Sequence, residues 1–260
     1  MTTGAKAIRV ERISSHDGER LIRALHYSGK VVRNSKLHLG VFLNGRCYGA
    51  MSFGPPLDKS KLLGLVRDTP WDGMLELNRM AFGPELPRNS ESRAIGVALR
   101  MIARAWPTVK WIVSFADATQ CGDGTIYRAA GFLLTGIRPN RNTARIGNDV
   151  VHKMTLEANP TLKRDVLRGR SYFDLSGGRY DFAGVVKSLG GTILHGFQLR
   201  YLAFIDATWR ERLTVPVLPY AAIAEAGAGM YKGHARAEVV GIGLPARVDV
   251  QPDPRAPITP

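Results

Sequence analysis

Asn44-Gly45 lies between two runs of strand-type residues, 36–43 (KLHLGVFL) and 46–53 (RCYGAMSF). An Asn-Gly link of two residues is the strongest short-range signal for a β-hairpin, because both tolerate the positive φ that a type I′ turn requires. An antiparallel pair is therefore expected here, closed by Gly54-Pro55-Pro56. Around it the apolar spacing switches between periods of 2 and 3.6. Residues 6–12 alternate as a strand, and 17–28 put Leu21, Ile22 and Leu25 on one helical face. After an irregular stretch at 57–72, residues 74–82 (MLELNRMAF) alternate again. Residues 92–106 carry Ile95, Leu99 and Ile102 at helical spacing, with Ser90 as the expected N-cap and Pro107 as the stop. Strand 109–116, short helix 123–130 and strands 132–137 and 149–156 follow, with 138–148 as a long loop. This order predicts an α/β (α+β) fold: a mixed, mostly antiparallel sheet flanked by helices, with one parallel pair across a helix. Residues 1–158 are expected to form the main domain. Residues 159–245 are expected to form a C-terminal extension packed on it, and 246–260 a disordered, proline-rich tail.

Charge narrows the function. Lys and Arg total 36 against 22 Asp and Glu, a formal +14. Such an excess suits a polyanionic partner, nucleic acid or a phosphate-rich cofactor. Cys47 and Cys121 are the only cysteines, which excludes a disulfide framework and a Cys-based zinc site. No apolar run approaches the roughly 18 residues of a membrane helix, and no signal-peptide core opens the chain. A cytoplasmic protein with no membrane partner and no obligate protein partner is expected.

The residues with chemical potential concentrate in the middle. The start of the 92–106 helix offers unpaired N–H groups and a positive dipole end, flanked by Arg88, Ser90, Ser92 and Arg93, which suits a pyrophosphate. Ser114 and Asp117 end the 109–116 strand, where open α/β sheets bind ligands. Gln120 has the donor–acceptor pair that reads an adenine edge. His26 and Tyr27 end the first helix, and His26 is a candidate base or metal ligand. Glu76 and Arg79 form either a reactive pair or a salt bridge. Lys30, Arg33 and Lys36, and the cluster Arg138, Arg141 and Arg145, are candidate DNA-phosphate contacts. His38, His152 and His195 fall on strand-like runs and read as structural. No base stands beside Cys121 to make it a nucleophile.

Two resemblances organise these residues. The run Arg88-Asn89-Ser90-Glu91-Ser92-Arg93 resembles the pyrophosphate loop of the GNAT acyl-CoA N-acetyltransferases, with serines where that loop carries glycines. Tyr127-Arg128-Ala129-Ala130-Gly131-Phe132 is similar to their Tyr-x-x-x-Gly-Phe landmark. More specifically, His26-Tyr27-Ser28-Gly29-Lys30, Leu75-Glu76-Leu77-Asn78-Arg79, Trp111 to Asp117 and Gly124-Thr125-Ile126-Tyr127 resemble the phage Mom-type DNA modification proteins, a divergent branch of that superfamily. The likeness spans about residues 20–156 and continues more weakly at 195–201 and 227–231.

That resemblance implies an enzyme converting adenine N6 in double-stranded DNA to N6-carbamoylmethyladenine, against restriction. It implies acetyl-CoA on Arg79, Arg88, Ser90, Ser92 and Arg93, and catalysis by His26, Tyr27, Ser114, Asp117 and Tyr127. Tyr127 would protonate the leaving thiolate, and Asp117 would contact or deprotonate N6. Acetyl transfer alone gives N6-acetyl, so the product's amide nitrogen needs another source. A metal such as iron on His26 and Asp117 is one expectation. The rival readings are an ordinary N-acetyltransferase acting on a small amine or a protein, and a non-catalytic DNA-binding protein on the same fold.

Overall fold

The computed structural model describes residues 4–118 and 122–228. Strand β1 (Arg9–Arg12) leads to helix α1 (Ser15–Leu25), then β2 (Leu37–Leu43) and β3 (Arg46–Gly54). Next come α2 (Lys59–Leu63), β4 (Met74–Phe82), α3 (Ser90–Ala105), β5 (Trp111–Asp117), α4 (Thr125–Ala129), β6 (Leu133–Ile146) and β7 (Asp149–His152). The remainder holds α5 (Lys153–Glu157), β8 (Lys163–Arg164), β9 (Arg170–Ser171), α6 (Tyr172–Ser176), α7 (Phe182–Ser188), β10 (Thr192–Phe204) and α8 (Ala221–Glu225). One sheet of eight strands runs β1-β2-β3-β4-β5-β10-β6-β7. Its pairs are antiparallel except β4 with β5, the pair that α3 connects. The mixed, mostly antiparallel sheet flanked by helices is the architecture expected from the periodicities.

Local chemistry explains the elements. The β2–β3 link has Asn44 at φ 50° and Gly45 at φ 79°, the two left-handed residues of a primed turn. Ser14 caps α1, its hydroxyl accepting the Asp17 N–H at 3.1 Å. Helix α3 lays Ala94, Ile95, Ala98 and Ile102 on one face of the sheet, against Leu39, Met51, Phe53, Leu77, Ile112 and Leu199. Each large aliphatic side chain buried there stabilises by about 1.5–3 kcal/mol. On the opposite face α1 packs Leu21 and Ile22 on Phe42 and Ala50. Further along that face Met74, Trp111, Val113 and Leu202 form a separate cluster.

Several expectations need correction. Asn89, not Ser90, occupies the N-cap of α3; it is left-handed at φ 69° and makes no side-chain capping bond. Ser90 is the first helical residue and is fully buried. The stretch 138–148 is not a long loop: β6 continues through it, because β10 supplies a pairing partner from Leu133 to Arg145. The strand expected at 149–156 stops at His152, whose ring accepts the Met154 N–H and starts α5. β10, drawn from the segment assigned to a C-terminal extension, lies inside the sheet between β5 and β6. Residues between β7 and β10 add a small second core of Leu156, Leu167, Tyr172, Val185 and Val186 on the far end of β6. The expected tail at 246–260 lies outside the described residues. Among the described residues no helix is long and apolar enough to cross a membrane.

Candidate active site at the parting of two parallel strands

The parallel β4–β5 pairing lasts only from Met74↔Trp111 to Glu76↔Val113. From Leu77 onward β4 pairs only with β3, and from Ser114 onward β5 pairs only with β10. The strands part there, and a hydrogen bond spans the parting: Ser114 Oγ donates to the Leu77 carbonyl at 3.3 Å. A bulge at Asn78 sharpens the divergence, because Ser52 and Phe53 of β3 face Arg79 and Leu77. Ser114 is fully buried at this junction. It holds the strands and is shielded from solvent.

Alternation along β5 separates two residues that the sequence reading had grouped. Ile112 and Ala116 face α3. Trp111 and Val113 face the other way. Asp117 therefore lies on the face away from α3, opposite to Ser114. Tyr127 is on the α3 side, buried with its ring centroid 5.5 Å from Phe132 and 5.3 Å from Tyr201.

A polar group gathers on the face away from α3. Arg79 Nε donates to the Lys30 carbonyl at 3.1 Å and its Nη1 donates to the Asn78 carbonyl at 2.7 Å. It thus pins the α1–β2 loop over β4, a role different from the cofactor contact expected of it. The Lys30 ammonium donates to Thr155 Oγ1 on α5. Burial and Arg164 lower the Lys30 pKa. Arg33 and Lys36 are exposed on the same loop.

His26 and Glu76 stand out by their electrostatics. The Ser28 N–H donates to His26 Nδ1 at 3.2 Å, and Ser28 Oγ lies 2.8 Å from the same nitrogen. A backbone N–H can only donate, so Nδ1 is an acceptor and the neutral ring carries its proton on Nε2. Burial and Arg79 push the His26 pKa down to about 4. The ring is a neutral donor at pH 7, and the nitrogen needed for a base is already engaged. Burial pushes the Glu76 carboxyl up to about 7, against the pull of Arg79. Its carboxyl makes no hydrogen bond or ion pair among the described residues. His152 belongs to this face as well: burial lowers its pKa, and it senses Asp117, Lys30 and Arg79. Tyr27 is 55% exposed at the rim, its ring 4.2 Å from that of His26.

The pH dependence of stability separates these groups. The unfolded chain protonates its histidine near 6.5, whereas folded His26 resists until about 4. Its contribution is therefore full above about 6.5 and declines as pH falls towards about 4. His26→Gln is expected to lose less melting temperature than the parent between about pH 7 and pH 5. Parallel loss in both proteins, measured by thermal melts across pH, overturns this reading.

The start of α3 presents donors of the kind a cofactor phosphate needs. Its first-turn N–H groups have no side-chain cap. Arg88 and Arg93 are exposed beside it, and neither makes an ion pair among the described residues. Ser92 Oγ donates to the Asn89 carbonyl at 3.3 Å, while Ser90 is turned into the core. The donors fit a pyrophosphate, with Arg88, Arg93 and backbone N–H groups as its ligands and Ser90 excluded. A metal fits less well. Ligation through His26 Nε2 would move its proton to Nδ1, against the Ser28 N–H. No group of three or more His, Cys, Asp or Glu among the described residues is placed to hold a metal.

The remaining expectations fall as follows. Arg138, Arg141 and Arg145 are exposed, but on strand β6 and not on a loop. His38 is a buried structural residue, 2.9 Å from Ser52 Oγ. Gln120 and Cys121 lie outside the described residues. Sequence reasoning under-rated two residues. The Leu75-Glu76-Leu77 alternation did place Glu76 away from the leucines, and a carboxylate so placed in a half-buried strand was its signal. His152 had no such signal, because its neighbours come from β5 and the distant α1–β2 loop.

Solved structures similar to the chain include two acetyltransferases. One, from Bacillus subtilis in complex with CoA, has a TM-score of 0.41 and 9% identity, covering 76% of this chain and 98% of that one. Another, a GNAT family acetyltransferase from Elizabethkingia anophelis with acetyl-CoA bound, has a TM-score of 0.39 and 13% identity, with coverage of 76% and 98%. The Mom protein family matches residues 7–222. The methylcarbamoylase mom of Escherichia phage Mu is 35% identical over 222 residues, 84% of this chain and 85% of that protein. The chain belongs to the Mom family.

Proposed function

We propose that the chain is a transferase that modifies the N6 amine of adenine in double-stranded DNA, giving N6-carbamoylmethyladenine. The observation that carries this reading is the face where β4 and β5 part. It holds a half-buried carboxyl at Glu76, which makes no hydrogen bond or ion pair among the described residues, and His26, which shares Arg79 as a neighbour with Glu76 and carries the exposed Tyr27 ring beside it. Family membership and the +14 charge support a DNA substrate.

Adenine N6 is a weak nucleophile and is paired inside a duplex, so a base must be drawn out of the stack before reaction. Tyr27 offers a stacking surface for such a base. Glu76, with a pKa near 7, is matched to removing a proton from N6 at neutral pH. That assigns it the proton transfer first expected of Asp117. Asp117 and His152 flank the amine, and His26 Nε2–H is a donor to the purine. Arg79 positions the loop that carries Tyr27 and His26. Arg88, Arg93 and first-turn N–H groups of α3 would hold the pyrophosphate of acetyl-CoA, whose thioester activates the carbonyl carbon; the bond from N6 to the methyl carbon and the amide of the product further require a two-electron oxidant and an ammonia-level nitrogen donor as co-reactants. Arg33, Lys36, Arg138 and Arg145 contact phosphates.

The test is nucleoside mass spectrometry on DNA from bacteria producing the chain, beside an Asp117→Ala control. A modified deoxyadenosine that disappears in the control is expected, and its mass distinguishes carbamoylmethyl from acetyl. Unmodified DNA in the presence of abundant folded protein overturns the proposal.

A further inference from the structure

Thr155 of α5 draws two cations together. Its hydroxyl accepts from the Lys30 ammonium, and its carbonyl accepts from Arg164 Nη2 at 3.0 Å. The same Nη2 reaches the Asn159 carbonyl at 3.4 Å, so the guanidinium caps the end of α5. Its Nε is enclosed, with no hydrogen-bond partner among the described residues. Arg170 stands directly across the β8–β9 pair from Arg164. Like charges directly opposite each other on paired strands are destabilising.

Three cations from two distant parts of the chain thus share one neighbourhood. Among the described residues none of the three makes an ion pair. The acids close by do not answer them. Glu157 of α5 is paired with Lys153 at 3.6 Å. Asp165 follows Arg164 in the chain but is exposed and makes no ion pair among the described residues. Burial and the Arg164 charge both lower the Lys30 pKa, so the ammonium is held where its charge is disfavoured. Capping of α5 accounts for Arg164 alone. An anion seated among the three relieves the repulsion, and a phosphate suits ammonium, guanidinium and hydroxyl donors together.

Position selects the anion. His152 senses Asp117, Lys30 and Arg79, which puts the Lys30 ammonium on the polar face. Arg79 holds the Lys30 carbonyl at 3.1 Å and also acts on the Glu76 carboxyl. The cation cluster therefore borders the groups assigned to the target amine. A nucleotide drawn out of a duplex swings about its own backbone, so its flanking phosphates stay close to the base that reacts. Contacts to those phosphates fix register and carry no sequence information.

We propose that Lys30 and Thr155, with Arg164 and Arg170 completing the positive wall, hold the phosphodiester next to the extruded adenine. This clamp joins the α1–β2 loop to the segment between β7 and β10, and gives that segment a part in placing N6 at Glu76. The inference rests on the DNA reading above.

The test is anisotropy of a fluorescein-labelled duplex across salt, the duplex being built around an adenine that sequencing shows to be modified. Lys30→Gln is expected to lower the slope of log K against log salt by about 0.9, the share of one phosphate. Lys30→Gln combined with Arg170→Gln is expected to lose the same amount. A loss of about 1.8 assigns the two cations to separate phosphates and overturns the shared site. A methylphosphonate in place of a phosphate flanking the modified adenine removes the charge from the DNA side. It is expected to lower the slope of the parent by about 0.9 and that of Lys30→Gln by nothing further. Thermal melts accompany each variant, and a Lys30→Gln protein that melts early is replaced by Lys30→Met and judged by the same slope. A parent-like slope in the Lys30 variant, or losses that add for both flanking methylphosphonates, overturns the clamp and leaves the DNA reading intact. Loss of thermal stabilisation by acetyl-CoA or inorganic phosphate in Lys30→Gln, with duplex binding unchanged, assigns the anion to those sources and also overturns it. A parent protein that fails to bind the duplex overturns the DNA reading, and this proposal with it.

Discussion

Glu76→Gln is expected to lower the yield of modified deoxyadenosine by about 10²–10⁴-fold, the range over which a positioned general base contributes. The substitution keeps shape and volume and removes only the ionisable oxygen. Because burial raises the Glu76 pKa to about 7, the parent rate should climb as pH passes upward through about 7 and level off above it. The residual activity of the variant should lack that limb. Stability should move in the opposite direction to activity. A carboxyl at about 4.5 in the unfolded chain and about 7 in the fold contributes stability that is full below about 4.5 and lost as pH rises through about 7. At pH 8 the parent carries a desolvated charge that the glutamine variant lacks. The variant should therefore melt at a higher temperature there, as expected when a site holds an unfavourable group for its chemistry. Product measured by nucleoside mass spectrometry and melts at two pH values check both halves. Full activity in Glu76→Gln removes Glu76 from the chemistry.

What the sequence discloses depends on how local the cause is. The β2–β3 hairpin was legible because its turn needs two left-handed residues and the chain offers Asn44-Gly45. Strand β4 and helix α3 were legible because their apolar spacing is strict. The continuation of β6 through Arg138, Asn140 and Arg141 was not, since these residues have no strand-like alternation. Their strand conformation comes from β10, where Arg138 pairs with Gln198 and Asn140 with Gly196, far along the chain. The site shows the same division. His26, Tyr27, Arg79 and Asp117 were found through local strings and do converge on one face. The separation of Ser114 from Asp117 followed from strand alternation alone, and only their shared position at a strand end had grouped them. The neighbourhood of His152 arises from long-range pairing that no window of sequence contains.

A chain ending at residue 158 is expected not to fold, although its boundary is where composition changes. β10 pairs with β5 from Gln198↔Asp117 to Phe204↔Trp111 and with β6 on its other side. Removing it strips both strands of their shared neighbour. It also removes Leu199 and Tyr201 from the core under α3 and Leu202 from the cluster around Trp111 and Val113. At about 1.5–3 kcal/mol for each large side chain, this loss approaches the whole 5–15 kcal/mol that keeps a typical domain folded. Far-UV circular dichroism and a thermal melt on the truncated chain check the expectation, and a cooperative transition like that of the parent contradicts it. The consequence reaches the chemistry. Asp117 sits at the end of β5 opposite Gln198, so the strand that positions it is an interior strand only because β10 is present. Without β10, β5 becomes an exposed, apolar edge, the kind of edge that pairs with other chains. The segment after residue 158 is therefore as much a part of the scaffold of the candidate site as the strands that carry Glu76 and Asp117.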